Sequence, residues 1–150
     1  MKFFLIIILF AIIVLLAVII YLRYQYRYRF FCDMIYVTKQ LKNNISFSKD
    51  VINKLLIDAY KNTNKSSQFL INNLDGLSSK LILKNGRKIV LDFYSSLGRG
   101  DIDYEINNLN YYESQFECIA NDSLNEQNNK GTMYFKLIIG IGLILCVLLL

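Results

Sequence analysis

The chain is apolar at both ends and polar in between. Residues 3–22 form a run of twenty residues without a charged side chain, and residues 137–150 form a second uncharged run. A run of about 18 or more apolar residues is typical of a membrane-spanning helix. These two runs constrain the fold more than any other feature, because only the polar residues between them remain to form a domain in water.

The first run is predicted to be a retained membrane anchor over residues 1–23. A cleaved signal peptide has an apolar core of about 7–15 residues and a small-residue cleavage site. This core is longer, and it ends in Tyr21, Leu22 and Arg23 without such a site. The second run is predicted to be a membrane helix over residues 133–150, with Lys136 extending toward the lipid headgroups.

Basic residues lie at the end of each predicted membrane helix that adjoins the polar middle of the chain. Arg23, Arg27 and Arg29 follow the first helix, and Lys130 and Lys136 stand at the start of the second. Because loops rich in lysine and arginine stay in the cytoplasm, we expect a multi-pass membrane protein with a cytoplasmic centre and both termini outside. Tyrosines alternate with the three arginines, which is typical of a membrane–water interface, so the expected contact is membrane lipid and not nucleic acid.

The middle of the chain, residues 28–130, is predicted to be entirely helical. The chain contains no proline, and no segment sustains the period-two alternation of a half-buried strand. Apolar residues recur at helical spacing in Phe30, Met34, Val37, Leu41 and Ile45. Further core positions are predicted at Leu55, Phe69, Phe93, Ile106, Leu109 and Phe116. The predicted fold class is all-α, with a helical bundle as the cytoplasmic domain between an N-terminal and a C-terminal transmembrane helix.

One segment permits a second interpretation. The apolar run 81–83 and the segment 88–91 flank Asn85-Gly86, a pair that is typical of a tight β-hairpin turn. Helix is favoured here, because Val90, Phe93 and Leu97 share a helical face that ends at Gly98.

A structural turn is predicted at Leu97, Gly98 and Asp101. Gly98 is expected to end one helix in a left-handed conformation, and Asp101 is expected to cap the next one. That helix is predicted over residues 102–126, after which a polar segment, residues 128–131, leads to the membrane.

Charge is distributed unevenly along the polar middle. Residues 23–100 hold 14 basic and 5 acidic side chains, whereas residues 101–129 hold 7 acidic and no basic ones. The acidic helix is expected to pack against basic neighbours within one bundle. The alternative is that it docks a basic partner through Glu105, Glu113 and Glu117. On that hypothesis, changing both Glu113 and Glu117 to lysine should weaken binding and leave the melting temperature almost unchanged.

No pattern of catalytic residues is present. The chain has no histidine, no phosphate-binding glycine loop and no metal-spaced cysteine set. Asp101, Asp103 and Glu105 lack the other ligands of a calcium loop and are better explained as the start of a helix. We therefore expect a protein that is not an enzyme, without catalytic, cofactor-binding or metal residues and without a small-molecule substrate. An enzyme that uses carboxylates alone is the minor alternative.

Three stretches resemble one known family. Residues 31–47, residues 93–101 with Leu-Gly followed by Asp, and residues 130–150 with lysine before glycines and aliphatics resemble the stage III sporulation protein AB family of endospore-forming bacteria. Members of that family have an N-terminal membrane helix, an all-helical cytoplasmic domain and a closing apolar helix. Their fold is similar to the cytoplasmic domain of the type II secretion system F protein.

The resemblance implies a structural subunit, or adaptor, of a secretion-like channel complex in endospore formation. Its implied partners are a secretion-type ATPase similar to stage III sporulation protein AA and other membrane subunits. Its implied location is the mother-cell side of the forespore membranes. The chain departs from the family at residues 49–51, where Pro-Leu is usual, and at Glu105, where glutamine is common. The main alternative is a small two-helix membrane protein of another class: a sensor, a toxin or a holin-like pore.

Overall fold

A computed structural model of the chain describes residues 2–47, 52–65, 67–68 and 84–149. Every regular element in these ranges is helical, which confirms the predicted all-α class. The α-helices whose bounds the structure describes are α1 (Lys2–Phe47), α2 (Ile52–Lys61), α3 (Lys84–Ser96), α4 (Ile102–Glu126) and α5 (Thr132–Leu149). A π-helical segment, Gln127–Gly131, lies between α4 and α5.

Two of the junctions between elements differ from the sequence prediction. Helix α1 continues without a break through 46 residues, where an anchor and a separate first domain helix were expected. Its sequence contains no glycine or proline, so nothing in it interrupts the backbone hydrogen bonds. Helix α4 has the predicted bounds, and the polar residues after it, for which no helix was predicted, form the π-helical segment.

Two helical stretches are long and apolar enough to cross a membrane by length and composition. They are Ile6–Ile45 and Ile102–Leu149, whose most apolar windows have mean hydropathies of 3.1 and 2.3. Each includes most of one of the uncharged runs found in the sequence.

The chain divides into two compact units. The terminal unit consists of Met1–Gln25 and Asp122–Leu150, and the central unit consists of Tyr26–Asn121.

In the terminal unit, α1 and α5 lie against each other in antiparallel directions. A Cβ atom added to Gly142 would lie 2.8 Å from Cγ2 of Ile13, and one added to Gly131 would lie 3.4 Å from Cδ2 of Tyr24. Residue numbers rise along one helix as they fall along the other at these contacts. On α1, Ala17 lies between Ile13 and Tyr24 in sequence and is fully buried. Small residues therefore let the two backbones approach closely, as is common between membrane helices.

The central unit is organised around one apolar core. The stripe predicted on its first helix is confirmed: Phe30, Met34, Val37, Leu41 and Ile45 are all buried. Of the other predicted core positions, the buried ones are Leu55, Phe93, Leu109 and Phe116. Ile106 is only partly buried, and Phe69 lies outside the described residues.

Aromatic rings fill the centre of this core. Phe93 of α3 meets Phe116 and Tyr112 of α4 edge to face, with ring centroids 5.4 and 5.3 Å apart. Phe31 of α1 also contacts Phe116, with centroids 6.2 Å apart. Such pairs add about 0.5–1.5 kcal/mol beyond the area they bury. The aromatic cluster thus joins α1, α3 and α4.

Helix α3 decides between the two interpretations of the segment around residue 85. Asn85 and Gly86 lie in the first turn of Lys84–Ser96, so they do not form a hairpin turn. The preference for helix is confirmed over this range. Residues 81–83, the proposed first strand, lie outside the described residues.

Polar contacts attach α2 and the following segment to the rest of the central unit. Asp33 of α1 accepts hydrogen bonds from Asn64 Nδ2 and Ser67 Oγ. The hydroxyl groups of Tyr60 and Tyr94 are hydrogen-bonded to each other. Burial raises the pKa of Tyr94 far above its ordinary value, so this hydroxyl stays protonated.

Candidate interaction surface

The turn between α3 and α4 positions the acidic helix. Gly98 has a φ of 76°, the left-handed conformation predicted for it, which a residue with a Cβ adopts only with strain. Asp101 Oδ1 accepts a hydrogen bond from the backbone N–H of Tyr104 at 2.9 Å, the geometry of an N-cap. Leu97 packs against the core cluster. These three residues fix where α4 begins.

Glu105 holds the same turn from inside. Its side chain is buried, and Oε1 accepts hydrogen bonds from the backbone N–H groups of Arg99 at 2.9 Å and Gly100 at 3.2 Å. The sequence suggested Glu105 as a partner-binding residue. The structure places its carboxylate within the protein, where it accepts hydrogen bonds from two donors of the turn. It is therefore not available to a docking partner.

Glu113 is occupied by two lysines of α1. Its Oε2 lies 2.7 Å from Lys42 Nζ, and its Oε1 lies 3.5 Å from Lys39 Nζ. Lys42 also donates to Asn110 Oδ1 at 3.1 Å. The hydrogen bond from Lys42, together with the charges of both lysines, holds the pKa of Glu113 below its ordinary value, although partial burial opposes this. Here the acidic helix packs against basic neighbours, as expected.

The spacing of charges along the sequence was not enough to identify Lys39 and Lys42 as the partners of Glu113. Lys39 and Lys42 are three residues apart and therefore lie on one face of α1, as Glu113 and Glu117 do on α4. The spacing shows that each pair can act together. It does not show which of the 14 basic side chains in residues 23–100 faces the acidic helix, because that depends on how the helices pack.

The side of α4 that faces away from the core remains available. We define the outer face as Asp103, Asn107, Tyr111, Ser114 and Glu117, all of which are exposed. Glu117 lies 3.6 Å from Lys39 Nζ, yet 51% of its side chain is exposed. The ring of Tyr111 is 58% exposed and is supported edge to face by Tyr112, with centroids 5.2 Å apart.

The three arginines predicted at the membrane interface are placed differently from one another. Arg23 and Arg29 are exposed, whereas Arg27 is buried. Only the exposed pair has the access that a contact with lipid headgroups needs.

Among the described residues, no group of three or more histidine, cysteine, aspartate or glutamate side chains is arranged to hold a metal ion. The outer face of α4 offers hydrogen-bonding groups, negative charge and an aromatic ring. Tyrosine is enriched at protein interfaces, and exposed carboxylates attract a basic surface.

These features define a helical protein with two apolar helices, a combination consistent with membrane association. Comparison with protein families matches residues 70–150, more than half of the chain, to stage III sporulation protein AB, and the chain belongs to this family. The family implies a role in sporulation. Comparison with individual curated proteins and with solved structures gives no match.

The matched range includes two of the three stretches that carry the resemblance in the sequence. Residues 93–101 and 130–150 lie within it, and residues 31–47 lie outside it. The matched range therefore includes α3, the turn, α4 and the second apolar helix.

Proposed function

We propose that this chain is a membrane-anchored helical adaptor, a structural subunit of a secretion-like channel complex in endospore formation. In this proposal it couples a cytoplasmic ATPase, similar to stage III sporulation protein AA, to the membrane components of that complex. The chain acts by binding and not by catalysis. The observation that carries the docking role is the outer face of α4, which is exposed, negatively charged and without any basic residue.

The proposed location is the cell membrane, with the central unit in the cytoplasm on the mother-cell side. The antiparallel contact of α1 with α5 supports two crossings, because it brings the start of α1 and the end of α5 to the same end of the helix pair. The arginines after the first apolar run support the orientation, since basic residues stay on the cytoplasmic side.

The partner surface is proposed to be basic. Asp103 and Glu117 give the outer face its charge, although Glu117 also lies 3.6 Å from Lys39 Nζ. Charge complementarity steers association with a positively charged surface. Tyr111 supplies an apolar ring with a hydrogen-bonding tip, which is frequent at the centre of protein interfaces. Glu113 has a different role, because its carboxylate is held by Lys42 and Lys39.

Because Glu113 is paired with two lysines, changing Glu113 and Glu117 to lysine does not test docking alone. A lysine at position 113 would meet Lys42 and Lys39, so the double reversal at 113 and 117 is expected to destabilise the central unit. Neutralising Asp103 and Glu117 avoids the difficulty. Asp103→Asn with Glu117→Gln removes two exposed charges and retains polar groups of the same size.

The test is capture of the purified ATPase by the full chain in detergent micelles, at low and high salt. The double variant should bind about 2- to 30-fold more weakly at low salt, if each lost charge contributes about 0.2–1 kcal/mol. The difference should shrink at high salt, because ions screen exposed charges. Asp92→Asn, which removes an exposed acid from α3, is the matched control and should bind like the wild type.

Equal capture by the double variant and the wild type at low salt, with unchanged melting temperatures, would show that the outer face of α4 does not dock the ATPase. Failure of the wild-type chain to capture the ATPase at all would reject the partner.

A further inference from the structure

The π-helical segment between α4 and α5 has an unusual pattern of burial. Gln127 and Gly131, its first and last residues, are buried, whereas Asn128, Asn129 and Lys130 are exposed. The backbone N–H of Thr132 donates to the carbonyl oxygen of Gln127, five residues earlier, as in a π-helix. One turn of the segment thus holds about one residue more than an α-helical turn.

Buried residues of the terminal unit continue on both sides of this segment. In order along the chain they are Ser123, Gln127, Gly131 and Gly142. Ser123 and Gly142 are 19 residues apart. Five turns of an α-helix take about 18 residues, so a continuous α-helix would rotate Gly142 about 100° away from the face that carries Ser123. Because the π turn takes up one extra residue, this rotation is removed and Gly142 lies on the same face of the helix as Ser123.

The contacts of α5 with α1 depend on that phase. Gly131 and Gly142 are 11 residues apart, and so are their respective neighbours on α1, Tyr24 and Ile13. Eleven residues make about three α-helical turns, so each pair repeats on one side of its helix. Both glycines face α1 at close range, which they do only if α5 starts at the correct angle.

The buried end of the segment is held by side-chain contacts. Gln127 Nε2 donates to the Tyr21 hydroxyl at 3.2 Å, and Thr132 Oγ1 donates to the Gln127 carbonyl oxygen at 3.4 Å. Tyr21 also meets Phe135 of α5, with ring centroids 6.0 Å apart. Tyr21 therefore contacts both the first residue of the segment and a residue of α5 beyond it.

We propose that the segment Gln127–Gly131 is a register element. It inserts one residue into the helix so that the buried residues Ser123 and Gln127 lie on the same face of the helix as Gly131 and Gly142, which meet α1. This role does not depend on sporulation or on the ATPase. It concerns how the second apolar helix is aligned with the first.

The geometry provides a direct readout by disulfide cross-linking. An ideal Cβ at Gly142 lies 3.5 Å from Ile13 Cβ, and one at Gly131 lies 3.6 Å from Tyr24 Cβ. Disulfides join residues whose Cβ atoms are about 3.5–4.5 Å apart. In the full chain with its three native cysteines changed to alanine, Ile13→Cys/Gly142→Cys and Tyr24→Cys/Gly131→Cys should each cross-link when membranes are oxidised.

The test of the register is the response to changes in length. Deletion of Asn129 should convert the segment into an α-helical turn, bring Ser123 and Gly142 to 18 residues apart, and leave both cross-links and the melting temperature intact. Insertion of one alanine after Asn129 should rotate α5 out of phase and abolish both cross-links. A combined variant, with that insertion and with Asn128 deleted, restores the length and should restore both cross-links.

The combined variant has the sequence of Asn129→Ala at the wild-type length, so its recovery shows that the alanine itself does not disturb the cross-links. An unchanged melting temperature of the insertion variant separates a phase error from failure to fold. Equal loss of cross-linking on deletion and on insertion would overturn the proposal, because a segment without a register role treats the two alike. Retention of both cross-links after the insertion would overturn it as well.

Discussion

At the scale of single residues, the acids of α4 have separate tasks although the sequence groups them. Glu105 closes the turn before the helix, Glu113 joins α4 to α1, and Glu117 stays half exposed. Their difference comes from their position around the helix. A negative charge that faces the core needs a donor beside it, whereas one that faces water does not.

The pairing of Glu113 makes the stability of the central unit depend on pH. The pKa of Glu113 is lowered in the folded state, so its contribution is complete above about pH 4.3, the usual pKa of an unfolded glutamate, and is lost as the pH falls through the lower folded value. Melting temperatures of the full chain in micelles, compared with Glu113→Gln, should differ at pH 7 and converge in acid.

Glu117→Gln is the control for this measurement. Its side chain is more exposed than that of Glu113, so the gap to the wild type at pH 7 should be smaller. A gap between Glu113→Gln and the wild type that stayed constant from pH 7 to pH 3 would contradict the assignment of the ion pair with Lys42.

At the scale of elements, helical periodicity predicted much of the central unit. The 102–126 prediction for α4 matches its bounds, and the apolar stripe of α1 is buried as expected. Both depend on local properties: the spacing of apolar residues, an N-cap and acids in the first turn. The joined α1 and the π turn were missed, because a helix boundary also depends on what the neighbouring residues pack against.

The aromatic core of the central unit should carry a large part of its stability. Phe93 contacts rings on α4 and is fully buried, so Phe93→Ala is expected to lower the free energy of unfolding by about 3–5 kcal/mol. Chemical denaturation of the full chain in micelles, followed by circular dichroism, measures this. Ile57→Ala, at an exposed position on α2, should change it by less than about 1 kcal/mol. Equal effects of the two variants would show that Phe93 is not in the core.

At the scale of the whole molecule, membrane orientation is the property on which the proposed function depends. Cys118 is exposed on α4, so a chain that keeps only this cysteine contains its own probe. With a cytoplasmic central unit, an impermeant maleimide should label Cys118 only after the cells are permeabilised. A cysteine inserted after Met1 in a variant that lacks the others should be labelled in intact cells. Labelling of Cys118 from outside would reverse the topology.

The sequence by itself determined the helical class, the two apolar runs, the acidic helix and the turn that precedes it. These follow from local chemistry: uncharged length, apolar spacing, and glycine and aspartate at positions that need them. The family resemblance also came from the sequence. Residues 93–101, one of the stretches that carry it, lie in the part of the chain that the family match includes.

Only the tertiary structure decided which charges meet. Nothing in the order of residues pairs Glu113 with Lys42, places Glu105 inside, or sets Gly142 against Ile13. Each of these depends on the relative position of helices far apart in sequence, and side chains of the same type are interchangeable until packing fixes that position.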